Sequence, residues 1–295
     1  MCVFIKISYF LKGLVQLTLI IFMMLFAALL HASWHALIKD QCDRLIGLAG
    51  MNVISVIAVL CFLPFVSTPS AMAWPYLLAS VPFHIVYKLG LVRIYNYGDL
   101  GQTFPISRGS APILATAIAF ALTYETPTLS EIFAILLICF GIFLVASDRA
   151  NQPLSGKAFW CGIFTGLMVA SYSVLNGLGA RSNGDWLSFA VWLLLLEGGL
   201  FVALVWYVRK NTLFAKFEKN ARNIVVSGLL GTGSFVIFLW ALSEGTIGSV
   251  TALRETSIIF VTIIGGIFMN EKLSFFRIFA VSIVALGVIL LALIQ

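Results

Sequence analysis

The sequence predicts an all-α membrane protein of about ten transmembrane helices, arranged as two inverted five-helix repeats around a central cavity. Three observations lead there. Of 295 residues, 61% are hydrophobic and only 10% charged, with a mean hydropathy of +1.06, whereas soluble domains carry about 25% charged residues. The apolar residues fall in runs close to the ~20 residues that a helix needs to cross a bilayer. The pair Arg108 and Glu125 recurs as Arg254 and Glu271, both 17 residues apart, and the shift of 146 that relates them also lays Gly141 on Gly287.

In chain order the spans are Leu17–Ile38, Leu45–Val66, Met72–Val92, Asp99–Thr123, Leu129–Ala146, Ala158–Gly179, Trp186–Val208, Asn223–Leu242, Gly245–Met269 and Ser274–Ile294. Lys6 and Lys12 precede the first run as they would in a signal peptide. The run continues through Trp34 without a small-residue cleavage site ahead of a polar domain, so it reads as a retained span. Residues 1–16 form an additional N-terminal segment, and Met23 and Met24 stand inside the run as alternative starts. The polar stretch 148–157 reads as a linker between a first repeat, 1–147, and a second, 158–295. A further echo sets Ala32-Ser33-Trp34 against Ala170-Ser171-Tyr172 at a shift of 138, the longer basic loop after span seven absorbing the difference. Five spans is an odd number, so the second repeat enters the membrane in the opposite sense to the first, as in many secondary transporters.

Charge distribution excludes some classes. The net charge of +6 comes from basic residues in short loops between apolar runs, not from a patch that nucleic acid would need. Twelve of them, Lys39, Arg44, Arg93, Arg149, Lys157, Arg209, Lys210, Lys216, Lys219, Arg222, Lys272 and Arg277, follow odd-numbered spans, against Lys6, Lys12 and Arg181 on the other side. By the positive-inside rule the first set is cytoplasmic and both termini are outside. Five scattered cysteines without a CxxC pair suggest neither a metal site nor a disulfide framework.

Arg108 is nine residues after Asp99, about 13–14 Å along a helix and so near the middle of a core about 30 Å thick. Arg254 is likewise nine residues after Gly245. A charge at that depth faces a protein interior or a watery cavity. Two readings stand side by side: a guanidinium clamp for a carboxylate or phosphate, or an internal ion pair that locks helices. Adjacent helical residues point about 100° apart, so Glu255 is poorly placed to pair with Arg254. Glu197, at similar depth in span seven, is a candidate proton carrier or a neutralising partner of either arginine, and Glu255 is a second candidate for coupling. His31 and His35 share a face of span one beside Trp34, and His84 and Lys88 repeat that spacing in span three, where Lys88 is expected to snorkel to the interface. Trp34, His35, His84, Tyr172, Asn176 and Trp240 join Arg108 and Arg254 as candidate substrate contacts. Pro105 and Pro112 are expected to kink or interrupt span four. No metal set and no nucleophile with its base is apparent, so neither a cofactor nor a catalytic residue is assigned.

Gly98-Asp99-Leu100 through Pro105-Ile106-Ser107-Arg108-Gly109-Ser110-Ala111-Pro112, then Glu125 and Gly141, resembles one EamA-type repeat. Ala252-Leu253-Arg254-Glu255-Thr256-Ser257, then Asn270-Glu271 and Gly287, resembles a second. Together they resemble the bacterial drug/metabolite transporter superfamily over nearly the whole chain after about residue 20. The resemblance implies a ten-helix inverted repeat in the cell inner membrane that moves small organic metabolites by alternating access. In this sequence Thr251 and Ile258 stand where the first repeat has Pro105 and Pro112. The resulting expectation is a monomeric or homodimeric exporter of a small anionic or zwitterionic metabolite, coupled to protons; the competing readings are an intramembrane enzyme and a membrane scaffold.

Overall fold

A computed structural model of the protein describes residues 2–38, 43–97, 100–123, 125–148, 155–209, 221–268 and 273–294. These form α1 (Cys2–Ile38), α2 (Arg44–Leu60), a 3-10 turn (Leu63–Phe65), α3 (Trp74–Tyr97), α4 (Leu100–Thr123), α5 (Leu129–Asp148), α6 (Gly156–Asn183), α7 (Trp186–Arg209), α8 (Ala221–Glu244), α9 (Ile247–Glu255), α10 (Ser257–Phe268) and α11 (Phe275–Ile294). Ten stretches are long and apolar enough to cross a membrane, with α9 and α10 together forming the ninth. Residues 2–16 prolong α1.

Helix ends are set by local chemistry. Asp43 caps α2 by accepting from the Ile46 amide, and Ser155 caps α6 by accepting from the Ala158 amide at 3.1 Å. At α5 the pattern Thr128-x-x-Glu131 makes a reciprocal capping box: the Glu131 carboxylate accepts from the Thr128 amide and the Thr128 hydroxyl accepts from the Glu131 amide. Gly184, at φ 74°, ends α6 in the left-handed conformation that glycine adopts without a Cβ clash.

Packing between the halves is pseudo-symmetric. Helix α6 lies against α3 and α4, while α1 lies against α8 and the α9–α10 pair. On the axis itself α5 packs on α11. There a Cβ on Gly141 would come within 2.6 Å of Val284 and 2.9 Å of the Ala280 carbonyl, and one on Gly287 within 2.7 Å of Ile138 and 3.1 Å of the Ala134 carbonyl. Adding 146 to Gly141, Ile138 and Ala134 gives Gly287, Val284 and Ala280, so one close approach is the image of the other. Small residues let backbones touch where lipid offers no hydrophobic drive for association. Large apolar side chains such as Phe22, Phe120, Phe140 and Leu293 cover the outside, where hydrocarbon is the solvent.

The connections sort to two ends. At one, Ser70 bonds Asn183 at 2.7 Å, Gln16 bonds Glu244 at 2.6 Å, and Arg181 joins three connections. Its guanidinium donates to Glu125 at 2.5 Å, to the Leu242 carbonyl at 3.0 Å and to the Gly245 carbonyl at 2.6 Å; Glu125 also accepts from the Ile247 amide at 3.2 Å. At the other end Arg209 lies 3.9 Å from Asp43, and Ser274 donates to Asp148. Lys39, Arg149, Lys210, Lys216, Lys219 and Lys272 of the basic set, the linker residues 149–154, and Asp99 and Glu271 lie outside the described residues.

One expectation is corrected. Helix α4 runs through Pro105 and Pro112 without interruption, and it is span nine, lacking both prolines, that breaks at Thr256. The Thr256 hydroxyl donates to the Leu253 carbonyl at 2.6 Å and its amide to the same carbonyl at 3.2 Å, a tightened turn that competes with the helical ladder. Replacing Gly141 by Val is expected to lower stability by about 1–3 kcal/mol through overpacking against backbone. A reduced melting temperature in detergent, matched by Gly287→Val, checks the pseudo-symmetric seam.

Candidate functional site

Helices α1, α2, α3, α6, α7, α8 and α9 enclose a cavity of about 110 Å³. Its wall draws on the end of α1, the first halves of α2 and α8 and the second half of α3, all toward the end marked by Asp43 and Arg209. Four of the residues expected at the site line it directly: Trp34, His84, Tyr172 and Arg254, with Glu197 beside them. Arg108, Glu255, His35, Asn176 and Trp240 do not reach the wall.

Arg254 closes the midplane side. It sits in the last turn of α9, where the break at Thr256 leaves a helix C-terminus whose partial negative charge favours a cation. It is 6% exposed, donates from Nη1 to the Tyr172 hydroxyl at 3.2 Å, and lies over the Phe238 ring at 4.3 Å. Its Nε has no partner, and among the described residues no carboxylate is within ion-pair distance.

Arg108 is treated differently. Only 2% exposed, it donates to Glu255 at 3.3 Å and to the Tyr87 hydroxyl at 2.9 Å, and its Nη2 lies 3.1 Å from His31 Nε2, which accepts because a guanidinium has no lone pair to offer. Of the two readings open for the arginines, Arg108 therefore takes the internal ion pair. The repeat explains the asymmetry: at the shift of 146, Glu255 corresponds to Gly109, so the second arginine has no equivalent carboxylate. The space beyond Gly109 is filled by Phe143, whose ring would be 3.2 Å from an added Cβ.

Aromatic stacking shapes the wall. His84 stacks on Tyr172 with ring centres 4.0 Å apart and planes 19° from parallel. Asn176 stands behind, donating to His84 at 3.1 Å and accepting from Ser80 at 2.6 Å, which fixes the imidazole orientation. Trp34 stacks on His35 at 3.6 Å and meets the His31 ring edge-on with centres 5.1 Å apart, leaving His35 turned toward Phe104. Trp240 is half-buried in the main apolar core.

Lys88 does not snorkel. It is buried in the cavity wall, donates to Glu197 and to Asn52 Oδ1 at 2.6 Å, and lies over Phe201 at 4.8 Å. Glu197 thus serves Lys88, not either arginine. Lys88, Asn52 and Tyr87 line the cavity although the sequence reading does not assign them to it, and His31, singled out there with His35, lines it as well. The usable signal was the i,i+4 spacing of His84 and Lys88, which puts Lys88 on whichever face holds His84.

These features define a polytopic membrane protein with a central hollow, lined by charged and aromatic side chains, between pseudo-symmetric halves. Residues 156–293, the second half, match the EamA-like transporter family. A solved structure described as "Crystal structure of protein" superposes with a TM-score of 0.71 over 94% of this chain and 96% of the other, at 12% identity, a likeness of fold. No curated protein matches the sequence. The family match covers the second half alone, while the likeness of fold extends over nearly the whole chain.

Removing one partner of a buried pair leaves the other charge uncompensated. Arg108→Met is therefore expected to destabilise the protein by about 3–5 kcal/mol, with Arg108→Met/Glu255→Gln recovering most of that loss. Thermal unfolding of the three variants in detergent checks it.

Proposed function

We propose that the protein is a secondary transporter of a small organic anion or zwitterion carrying a carboxylate, bound by Arg254 and coupled to protons through Glu197. The observation that carries this reading is a buried guanidinium on a cavity wall at the interface of the repeats with, among the described residues, no carboxylate within ion-pair distance. A buried charge in a membrane is costly unless paired, and a planar fork suits a carboxylate better than any neutral group. The substrate supplies the missing partner.

The cavity volume supports a small substrate, because drug-sized ligands occupy pockets of roughly 300–1,000 Å³. Tyr172 and His84 offer a flat face beside Arg254 for the substrate's carbon skeleton. Glu197 lines the cavity, whereas Glu255 is held behind the wall by Arg108, so Glu197 is the group that substrate and water both reach. The positive-inside rule makes the Asp43–Arg209 end cytoplasmic. In this state the cavity then loads from the cytoplasm across the inner membrane, as export requires. The family match and the absence of any nucleophile–base constellation among the cavity-lining residues favour a carrier over an enzyme.

Arg254→Gln is expected to abolish substrate flux in proteoliposomes while leaving insertion and the size-exclusion profile intact, and Arg254→Lys to retain a fraction of it. Wild-type flux in Arg254→Gln overturns the assignment. Glu197→Gln is expected to flatten the dependence of flux on an imposed pH gradient; an unchanged gradient response removes Glu197 from coupling.

A further inference from the structure

The Lys88–Glu197 pair differs from Arg108–Glu255 in one respect that matters for function. Both side chains of the arginine pair are sealed, at 2% and 0% exposure, whereas Lys88 is 11% exposed and both partners stand on the cavity wall. The cavity therefore holds two cations, Arg254 and Lys88, and one of them is masked by a carboxylate. The Tyr172–His84 stack bridges them. Tyr172 accepts from Arg254, and His84 precedes Lys88 by one helical turn, about 6 Å of rise.

We propose that Lys88 is a second anion clamp held in reserve by Glu197, and that the occupant of the cavity is a small dicarboxylate taken up together with one proton, its two ends on Arg254 and Lys88. This rests on the reading of Arg254 as a carboxylate clamp and Glu197 as proton carrier. The titratable and charged groups lining the cavity with Glu197 are Lys88, His84 and Tyr87 from α3, His31 from α1, Tyr172 from α6 and Arg254 from α9; α2 contributes the neutral Asn52, and α8 contributes none. Glu197 is the only carboxylate among them.

Charge neutrality in a low-dielectric hollow then selects the substrate. With Glu197 ionised the wall carries one net positive charge, which a monoanion balances. With Glu197 protonated it carries two, which a monoanion leaves half-balanced and a dianion neutralises. A zwitterion neutralises neither state. The proton moves onto the Glu197 carboxylate, Lys88 keeps its hydrogen bond to Asn52, and its ammonium turns from Glu197 to the second carboxylate of the substrate. One net negative charge crosses per cycle, so an inside-negative potential drives the movement outward.

The test is calorimetric titration of the purified full-length protein with fumarate and tartrate as dianions, acrylate as a monoanion and alanine as a zwitterion. Between about pH 8 and pH 6, dianion affinity is expected to rise by up to about tenfold per pH unit with roughly one proton taken up per ligand, read from the dependence of the heat on buffer ionisation. Acrylate binding is expected to fall or stay flat as pH drops. Glu197→Gln is expected to bind dianions tightly at every pH without proton uptake. Lys88→Met/Glu197→Gln, which removes both charges and so avoids an orphaned one, is expected to bind fumarate no better than acrylate. Dianions that bind no tighter than acrylate at the low-pH end, or alanine binding tighter than both, overturn the inference while Arg254-dependent acrylate binding keeps the carboxylate-carrier reading. Loss of Arg254 dependence for every probe overturns both.

Discussion

Among the described residues, Glu255 is the one carboxylate within ion-pair reach of the two midplane arginines, and it sides with Arg108. The rest of the centre is organised by that choice. Arg108, Glu255, His31 and Tyr87 become a charge-balanced polar cluster that ties α1, α3, α4 and α9 together, with Arg108 Nε and Glu255 Oε2 left over. Arg254, its image in the second repeat, keeps an unmet electrostatic need and faces open space. The two pseudo-symmetric halves thus pair their arginines unequally, with glycine at position 109 and glutamate at position 255. One arginine is held in an ion pair and the other stands on the cavity wall.

The lipid solvent explains why such locks are few and strong. Helices gain little from burying apolar side chains against one another when the alternative is hydrocarbon, so close backbone approach and polar pairing do the specifying. Gly141 and Gly287 supply the first at the α5–α11 seam, remote from the cavity. Lys88 with Glu197 and Arg108 with Glu255 supply the second near the midplane. Helices α5 and α11 can therefore hold the halves together while the helices around the hollow carry the charged and aromatic groups.

Much of this architecture is readable in the chain. Run lengths near twenty residues identify ten spans, and the 17-residue spacing from arginine to glutamate reveals the duplication. Depth along a span finds Arg254 and Glu197, because nine or eleven residues of helix reach the midplane whatever the neighbours are. Azimuth is harder. Nothing local says which way Arg108 points, and its enclosure arises from His31, Tyr87 and Glu255, three residues distant in sequence. For Lys88, closeness to Arg93 suggests an interfacial position, while the partner that holds it in the wall is 109 residues away on α7. The prolines of span four misled in a related way: a helix tolerates a missing donor where its neighbours enclose it, and the break came instead from a threonine hydroxyl competing for a carbonyl in span nine.

Arg181 gives the charge-poor end its character. A single guanidinium there grips one carboxylate and two backbone carbonyls drawn from two different turns, and the carboxylate it holds reaches on to a fourth group, the Ile247 amide. The guanidinium is exposed, so water competes for every one of these bonds from the start. Separation at this end therefore exchanges each bond for one to solvent, and the turns are held by geometry more than by dryness.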